Sequence, residues 1–163
     1  MADATFEKLI IGDVKGAHLS LSPNGIKMHE ETGELRAELW MEYDGPALLM
    51  YDRNGQERLA LFVENDGTPH IRVHDANGKK RISVSVDMEG GPLLQFLDGT
   101  GVALFQCTLI DGETPSLSFH SRDEKLRFHL LLHDDEADML ASPKTGEEHW
   151  GSLLRQLAKK GRA

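Results

Sequence analysis

A spacing of 23 residues recurs along most of this chain. Four prolines lie 23 residues apart, at Pro46, Pro69, Pro92 and Pro115, and glycines recur at nearly the same step. A period of this length constrains the fold strongly, because every unit must form the same small arrangement of secondary structure. The spacing predicts five units of about 23 residues between about residues 24 and 135.

Each unit contains two stretches in which apolar and polar residues alternate. Around the segment "YDRNGQER" the apolar positions are Leu48, Met50, Leu59 and Leu61, and the equivalent positions of the other units are also apolar. The intervening positions are mixed and mostly polar. Alternation with a period of two is typical of an antiparallel sheet with one buried face. We therefore expect the apolar columns to form the core and the other face to be solvated.

The dipeptide Asn54-Gly55 predicts the turn between the two strands of a unit. Asn-Gly favours a two-residue type I′ hairpin loop, which would place Met50 opposite Leu59. A slip of one residue would move apolar side chains to the wrong face, so the turn and the alternation support each other. The same rule predicts the pairs Met28–Ala37, Leu48–Leu61, Val73–Ile82, Phe96–Phe105 and Phe119–Phe128.

The Asp-x-Asn-Gly segments also resemble part of a calcium loop. Such a loop needs further oxygen ligands, including a bidentate glutamate, whereas Lys79 and Lys80 follow one of these segments. An aspartate that begins a turn instead accepts hydrogen bonds from nearby backbone N–H groups. We interpret Asp52 and Asp75 as turn residues and predict no metal site.

The predicted fold is all-β, an antiparallel β-meander of about ten to twelve strands in a hairpin-repeat domain covering residues 1–135. One apolar face must be covered, so the sheet can close as a barrel, fold as a sandwich or associate as an oligomeric β-prism. A parallel β-solenoid with 23-residue coils is the alternative.

The remaining residues, 136–163, are predicted to form a linker and a C-terminal amphipathic α-helix. Four apolar residues follow the spacing i, i+3, i+4 and i+7 that places them on one side of a helix: Trp150, Leu153, Leu154 and Leu157. We expect this stripe to pack on a face of the sheet or on a neighbouring subunit.

Two groups of side chains on the face opposite the core are candidate sites. Trp40, Phe62 and Leu49 are large apolar residues on a nominally solvated face, which indicates contact with the helix or with another copy. The second group is a ladder of cross-strand pairs, His29 with Arg36, Tyr51 with Arg58, His74 with Arg81 and His120 with Arg127. This ladder would either bind anions and respond to pH or only stack, at about 0.2–1 kcal/mol per pair.

Composition excludes several classes of protein. The net charge of −9 and pI of about 5.3 disfavour nucleic-acid binding. The single cysteine, Cys107, excludes an intramolecular disulfide and a cysteine zinc cluster, and its apolar setting predicts an inert core thiol. The sequence contains neither an apolar run of about 18 residues nor a secretory signal pattern. We expect no membrane span and a cytoplasmic location.

Catalytic motifs are also absent from the sequence. It contains no His-Glu-x-x-His, no Gly-x-Ser-x-Gly and no phosphate-binding glycine loop. We therefore predict no enzyme and no cofactor. The predicted function is a structural or protein-interaction module that self-assembles or joins a larger assembly, as a homo-oligomer or through its C-terminal helix. The alternative is a ligand-binding β-barrel that holds an apolar small molecule or lipid.

Overall fold

The computed structural model describes residues 7–42, 45–133, 137–141 and 151–152, and all their regular structure is β. The strands are β1 Leu9–Gly12, β2 His18–Ser22, β3 Gly25–His29, β4 Leu35–Glu42, β5 Gly45–Tyr51, β6 Glu57–Val63, β7 Pro69–His74, β8 Lys80–Val86, β9 Pro92–Leu97, β10 Ala103–Ile110, β11 Thr114–His120, β12 Leu126–Leu132, β13 Ala137–Ala141 and β14 Gly151–Ser152. These described strands outnumber the ten to twelve predicted.

The chain divides between Lys80 and Arg81 into an N-terminal and a C-terminal unit. In the N-terminal unit, β1 to β7 pair antiparallel in chain order. In the C-terminal unit, β8 to β14 do the same. The all-β antiparallel prediction is confirmed, and no described pairing has the parallel, 23-residue offset of a solenoid. Among the described residues, no pairing joins the first strand of either unit to its last.

The strand register places the apolar columns on one face of each unit, which we call the apolar face. Met50 lies opposite Leu59 as predicted, and the predicted pairs Met28–Ala37, Leu48–Leu61, Phe96–Phe105 and Phe119–Phe128 are also present. Residues directly opposite each other share a face. The central row of this face runs through Leu9, Leu21, Ile26, Leu39, Leu48, Leu61 and Ile71 in the N-terminal unit, and through Val84, Leu94, Cys107, Leu117, Leu130 and Met139 in the C-terminal unit.

The predicted type I′ loop at Asn54-Gly55 is wrong. The Asp52 carbonyl accepts a hydrogen bond from Gly55 N–H at 3.0 Å, and Asp52 N–H donates to the Gln56 carbonyl at 2.9 Å. Gly55 has a positive φ of 72°, whereas the φ of Asn54 is not positive. A type I′ loop would need positive φ at both residues. This is a three-residue loop with a glycine bulge. The bulge absorbs the extra residue, so the predicted register returns at Met50 and Leu59.

Within the single chain, the burial of the two faces differs from the predicted alternation. On the apolar face Met28 and Leu39 are each 50% exposed, and Cys107, predicted to be a core thiol, is only half-buried. On the opposite face, which we call the polar face, Ala60 is only 3% exposed and Ser83 only 7%. Each described strand contacts only its neighbours in the sheet. No second layer therefore covers the apolar face within the described residues.

Most of the predicted C-terminal helix lies outside the described residues, as does the predicted domain boundary at residue 135. In the predicted linker the structure contains a strand, β13, and in the predicted helix it describes only Gly151–Ser152, which pairs with β13 as the short strand β14. Among the described residues, no helix is long and apolar enough to cross a membrane.

Two glycines distinguish backbone strain from steric clash. A methyl group added at Gly55 would meet nothing within 4 Å, so Gly55→Ala should lower the free energy of unfolding only by the strain of positive φ, about 1–2 kcal/mol. At Gly45 the added carbon would lie 2.1 Å from the Val63 carbonyl oxygen, so Gly45→Ala should cost more. Urea unfolding measures both, with Gly55→Asn as the control that tolerates positive φ. Equal costs at both glycines would contradict the described geometry.

Candidate functional site

The exposed apolar residues of the chain are concentrated on the apolar face. Fifteen large hydrophobic residues are exposed in the described part, and eleven of them belong to this face by register. In the N-terminal unit they are Leu9, Ile11, Met28, Leu39, Met41, Met50, Val63 and Ile71, and in the C-terminal unit they are Phe96, Phe119 and Leu132. Scattered exposed hydrophobics need no explanation, but a contiguous set indicates an interaction surface.

Four phenylalanines form a continuous row on the apolar face of the C-terminal unit. The ring centroids of Phe96 and Phe105 are 5.1 Å apart in a stacked arrangement. Phe105 and Phe119, then Phe119 and Phe128, meet edge to face at 5.2 and 5.7 Å. These are the separations that aromatic pairs prefer. The contacts fix the rings relative to one another, while Phe96 and Phe119 remain 44% and 43% exposed.

The polar face is covered by its own side chains. Large and small residues alternate along its central row, so Ala60 lies between Leu49 and Arg72 across the strands. In the C-terminal unit Ser118 lies between Gln106 and His129 in the same way. The long side chains shield the small ones between them, which explains why a nominally solvated face holds the least exposed described residues.

A buried carboxylate organises the polar face of the N-terminal unit. Glu38, 8% exposed, accepts a hydrogen bond from the Tyr51 hydroxyl at 2.5 Å and pairs with Lys27 at 3.0 Å. The Lys27 ammonium also lies 4.6 Å from the Trp40 ring centroid. A buried charge requires such partners, because leaving it unpaired costs several kcal/mol. Sequence reasoning missed this cluster, although the predicted pair Met28–Ala37 places Lys27 opposite Glu38.

The predicted ladder residues lie on the polar face, and three of the four predicted pairs are not directly opposite each other. The bulge beside each turn shifts the register, so His29 lies opposite Leu35, Tyr51 opposite Glu57 and His120 opposite Leu126. The arginines instead contact other groups. Arg58 Nε donates to the His74 carbonyl at 3.0 Å, and Arg81 Nε donates to the Leu97 carbonyl at 2.9 Å. Arg127 Nε donates to Ser121 Oγ at 2.9 Å, and Arg36 pairs with Glu30 at 3.5 Å. The contacts of Arg58 and Arg81 tie these side chains to the backbone at the ends of β7 and β9.

Trp40, Phe62 and Leu49 lie on the polar face as predicted and are half-buried. Phe62 already has partners on its ring, since His70 stacks on it at 4.9 Å and the Arg72 guanidinium lies 4.3 Å from its centroid. Phe62 and Leu49 line a cleft of about 620 Å³ together with Ala47, Ala60, Glu64 and Arg72. The residues of the predicted stripe, Trp150, Leu153, Leu154 and Leu157, lie outside the described residues.

A second polar cluster in the C-terminal unit contains two histidines. His129 Nε2 and Ser116 Oγ are 2.8 Å apart, and His120 Nε2 and Ser118 Oγ are 3.1 Å apart. Burial lowers the pKa of His129 below its ordinary value, and charge repulsion from His120 lowers it further. The residue of β13 directly opposite His129 is Leu140, so β13 supplies no charged group in register with His129.

The carboxylates of the turns are occupied by backbone N–H groups, as the turn interpretation expects. Asp52 Oδ1 accepts hydrogen bonds from the N–H groups of Asn54 and Gln56 at 2.9 and 3.1 Å. Asp98 accepts the Thr100 hydroxyl and N–H, and these bonds lower the pKa of Asp98 against the opposing effect of desolvation. Among the described residues, no group of three or more His, Cys, Asp or Glu side chains is placed to hold a metal ion.

No protein-family model matches the chain, and no curated protein is significantly similar to it.

Removing the Tyr51 hydroxyl tests the buried carboxylate. Tyr51→Phe should lower the free energy of unfolding by about 1.5 kcal/mol, because a hydrogen bond to a charged group is lost. A double-mutant cycle with Glu38→Gln isolates the pair from other effects of each substitution. A coupling energy near zero in urea unfolding would contradict the described contact.

The lowered pKa of His129 predicts a stability that depends on pH. As the pH falls below about 6.5 the unfolded chain takes up a proton that folded His129 resists, so the free energy of unfolding decreases. His129→Asn should reduce this loss between pH 7 and 5, and His120→Asn should reduce it less, because it removes only the repulsion. Chemical unfolding at several pH values measures the slope, and an unchanged slope in His129→Asn would refute the assignment.

Proposed function

We propose that this chain is a non-enzymatic assembly module whose copies cover one another's apolar faces. The observation that supports this is the exposed apolar face, in which the opposed rows contain no charged residue. Such rows offer apolar contact and shape, not the convergent polar groups that a catalytic site requires. The proposal includes the five 23-residue hairpin units, which would present the same spacing of side chains along the sheet.

The size of the exposed surface supports a stable interface. The eight residues of the N-terminal unit are 36–62% exposed. Full burial of one large apolar side chain contributes about 1.5–3 kcal/mol, so covering each of these would add about 1 kcal/mol. Their exposed area is on the order of several hundred Å², as large as the biggest apolar patch of a typical monomer, which is often an interaction site. It is comparable with the roughly 800 Å² that each partner buries in a stable complex.

A second copy fits this surface better than an unrelated partner. Two pleated faces with the same strand spacing can interdigitate face to face about 10 Å apart, as in a β-sandwich. Every copy carries the same face, so a complementary surface is always present. The net charge of −9 opposes association, but the charged side chains lie on the polar face and in the turns rather than in the apolar rows.

Charge on the apolar face should dissociate the assembly. We expect the wild-type chain to be an oligomer by light scattering and Phe96→Lys to shift it toward monomer, with the fold checked by circular dichroism. Gln95→Lys is the matched control, because Gln95 is the preceding residue on β9 and points to the polar face. Added salt should strengthen association by screening repulsion between like-charged copies. A wild-type monomer, or equal effects of both substitutions, would refute the proposal.

Truncation after residue 146 separates association from covering by the chain itself. If copies cover one another, the truncated chain should remain the same oligomer. If the stripe of Trp150, Leu153, Leu154 and Leu157 covers the face within one chain, the wild-type protein should be a monomer that associates once truncated. A monomer that carries an apolar ligand in native mass spectrometry would favour the ligand-binding alternative.

A further inference from the structure

The first strand of the N-terminal unit pairs on one side only among the described residues. β1 pairs with β2 in continuous antiparallel register, and no described strand lies along its other side. The N–H and C=O groups of such an edge are complementary to those of another extended strand. The edge of β1 is therefore an interaction surface separate from the apolar face, and its pairing does not depend on the face-to-face contact proposed above.

The register of the neighbouring hairpin shows which backbone groups of β1 point outward. Ser22 lies opposite Gly25 across a two-residue loop, so these two residues exchange hydrogen bonds, and every second residue of β2 does the same with β3. Ser20 belongs to that set. Ile10 lies opposite Ser20 on β1. The N–H and C=O of Ile10 therefore point away from β2.

β1 contains none of the features that usually keep an edge strand from pairing. Protected edges carry a lysine, a proline, a bulge or another charge. The sequence of β1 is Leu-Ile-Ile-Gly, and it pairs with β2 without a shift of register. Leu9 and Ile11 belong to the apolar face and Ile10 to the polar face, and they are 40%, 55% and 37% exposed. Apolar residues on both faces are typical of strands that are covered on both faces.

The charges beside β1 do not oppose the approach of a second copy. The charged residues that flank the strand are two acids and two bases, Glu7, Asp13, Lys8 and Lys15. The net charge of −9 is thus carried by other parts of the chain. Repulsion between like charges is therefore not concentrated at this edge.

From this geometry we propose that β1 pairs antiparallel with β1 of a second copy, about a twofold axis at Ile10. Every copy carries the same edge, and a twofold arrangement leaves neither β1 unpaired. Ile10 would lie opposite Ile10 of the second copy, and Leu9 opposite Ile11 of the second copy, so that each face meets the same face. A shift of one residue would place apolar-face residues opposite polar-face residues. The pairing joins the apolar faces of two N-terminal units into one wider surface.

Cysteine cross-linking tests both the contact and its register. In a Cys107→Ser background, Ile10→Cys should form a disulfide-linked dimer under mild oxidation, because the Cα atoms of a hydrogen-bonded antiparallel pair are about 5.5 Å apart. Leu9→Cys is the matched control of similar exposure. Its two copies would be offset by two residues and roughly 8 Å apart, which is beyond the reach of a disulfide. No dimer with Ile10→Cys, or equal dimer with Leu9→Cys, would overturn the proposal.

Hydrogen exchange followed by NMR distinguishes this contact from the contact between apolar faces. The Ile10 amide should be protected at high protein concentration and should lose its protection on dilution, whereas the Ile11 amide, bonded to β2, should stay protected. Phe96→Lys should leave this behaviour unchanged even where it removes the face-to-face contact. An Ile10 amide that exchanges freely at every concentration, or that is protected in a monomer, would contradict pairing with a second copy.

Ile10→Pro removes the outward N–H while leaving the hydrogen bonds between β1 and β2 intact, because proline is tolerated at an edge. Edge pairing should be lost in this variant and kept in Ile10→Val, which retains the N–H. Sedimentation of both variants in the Phe96→Lys background measures this contact alone. Pairing that survives Ile10→Pro would refute the proposal.

Discussion

Backbone hydrogen bonding between neighbouring strands is the interaction on which the rest of this structure depends. In the described residues each strand contacts only its neighbours, so no second layer contributes burial from above or below. The backbone hydrogen bonds therefore determine which side chains meet. Side chains pack against neighbours in the same row or in an adjacent row of one face. An isolated sheet of this kind gains little stability from the hydrophobic effect on its apolar face. That face stabilises the fold only when another surface removes it from water.

The two faces meet this constraint in different ways. On the polar face, long side chains lie over small ones, and Glu38, Tyr51 and Lys27 satisfy one another without a second layer. The apolar face cannot cover itself, because branched and aromatic side chains of similar size stand side by side, as in the row from Phe96 to Phe128. The polar face is thus covered by side chains of the same chain, whereas the exposure of the apolar face supports the proposal of an interface.

The sequence predicted the all-β class, the antiparallel pairing and the register at Met50–Leu59, because alternation and turn spacing are local properties. It misassigned the turn at Asn54-Gly55, since a two-residue loop and a three-residue loop with a bulge lead to the same register beyond the turn. Because of that bulge, Tyr51 lies opposite Glu57 instead of Arg58. Burial could not be read from the pattern, because exposure depends on what lies over a face.

Cys107 gives the apolar face a chemical consequence of its own. The thiol is half-buried in the central row, between Leu94 and Leu117 on the adjacent strands. Its access to solvent depends on whether that face is covered, not on local unfolding of the strand that holds it. The rate at which a small alkylating reagent modifies Cys107 would therefore follow the fraction of uncovered sheet, and the chain's one sulfhydryl would act as an internal gauge of association.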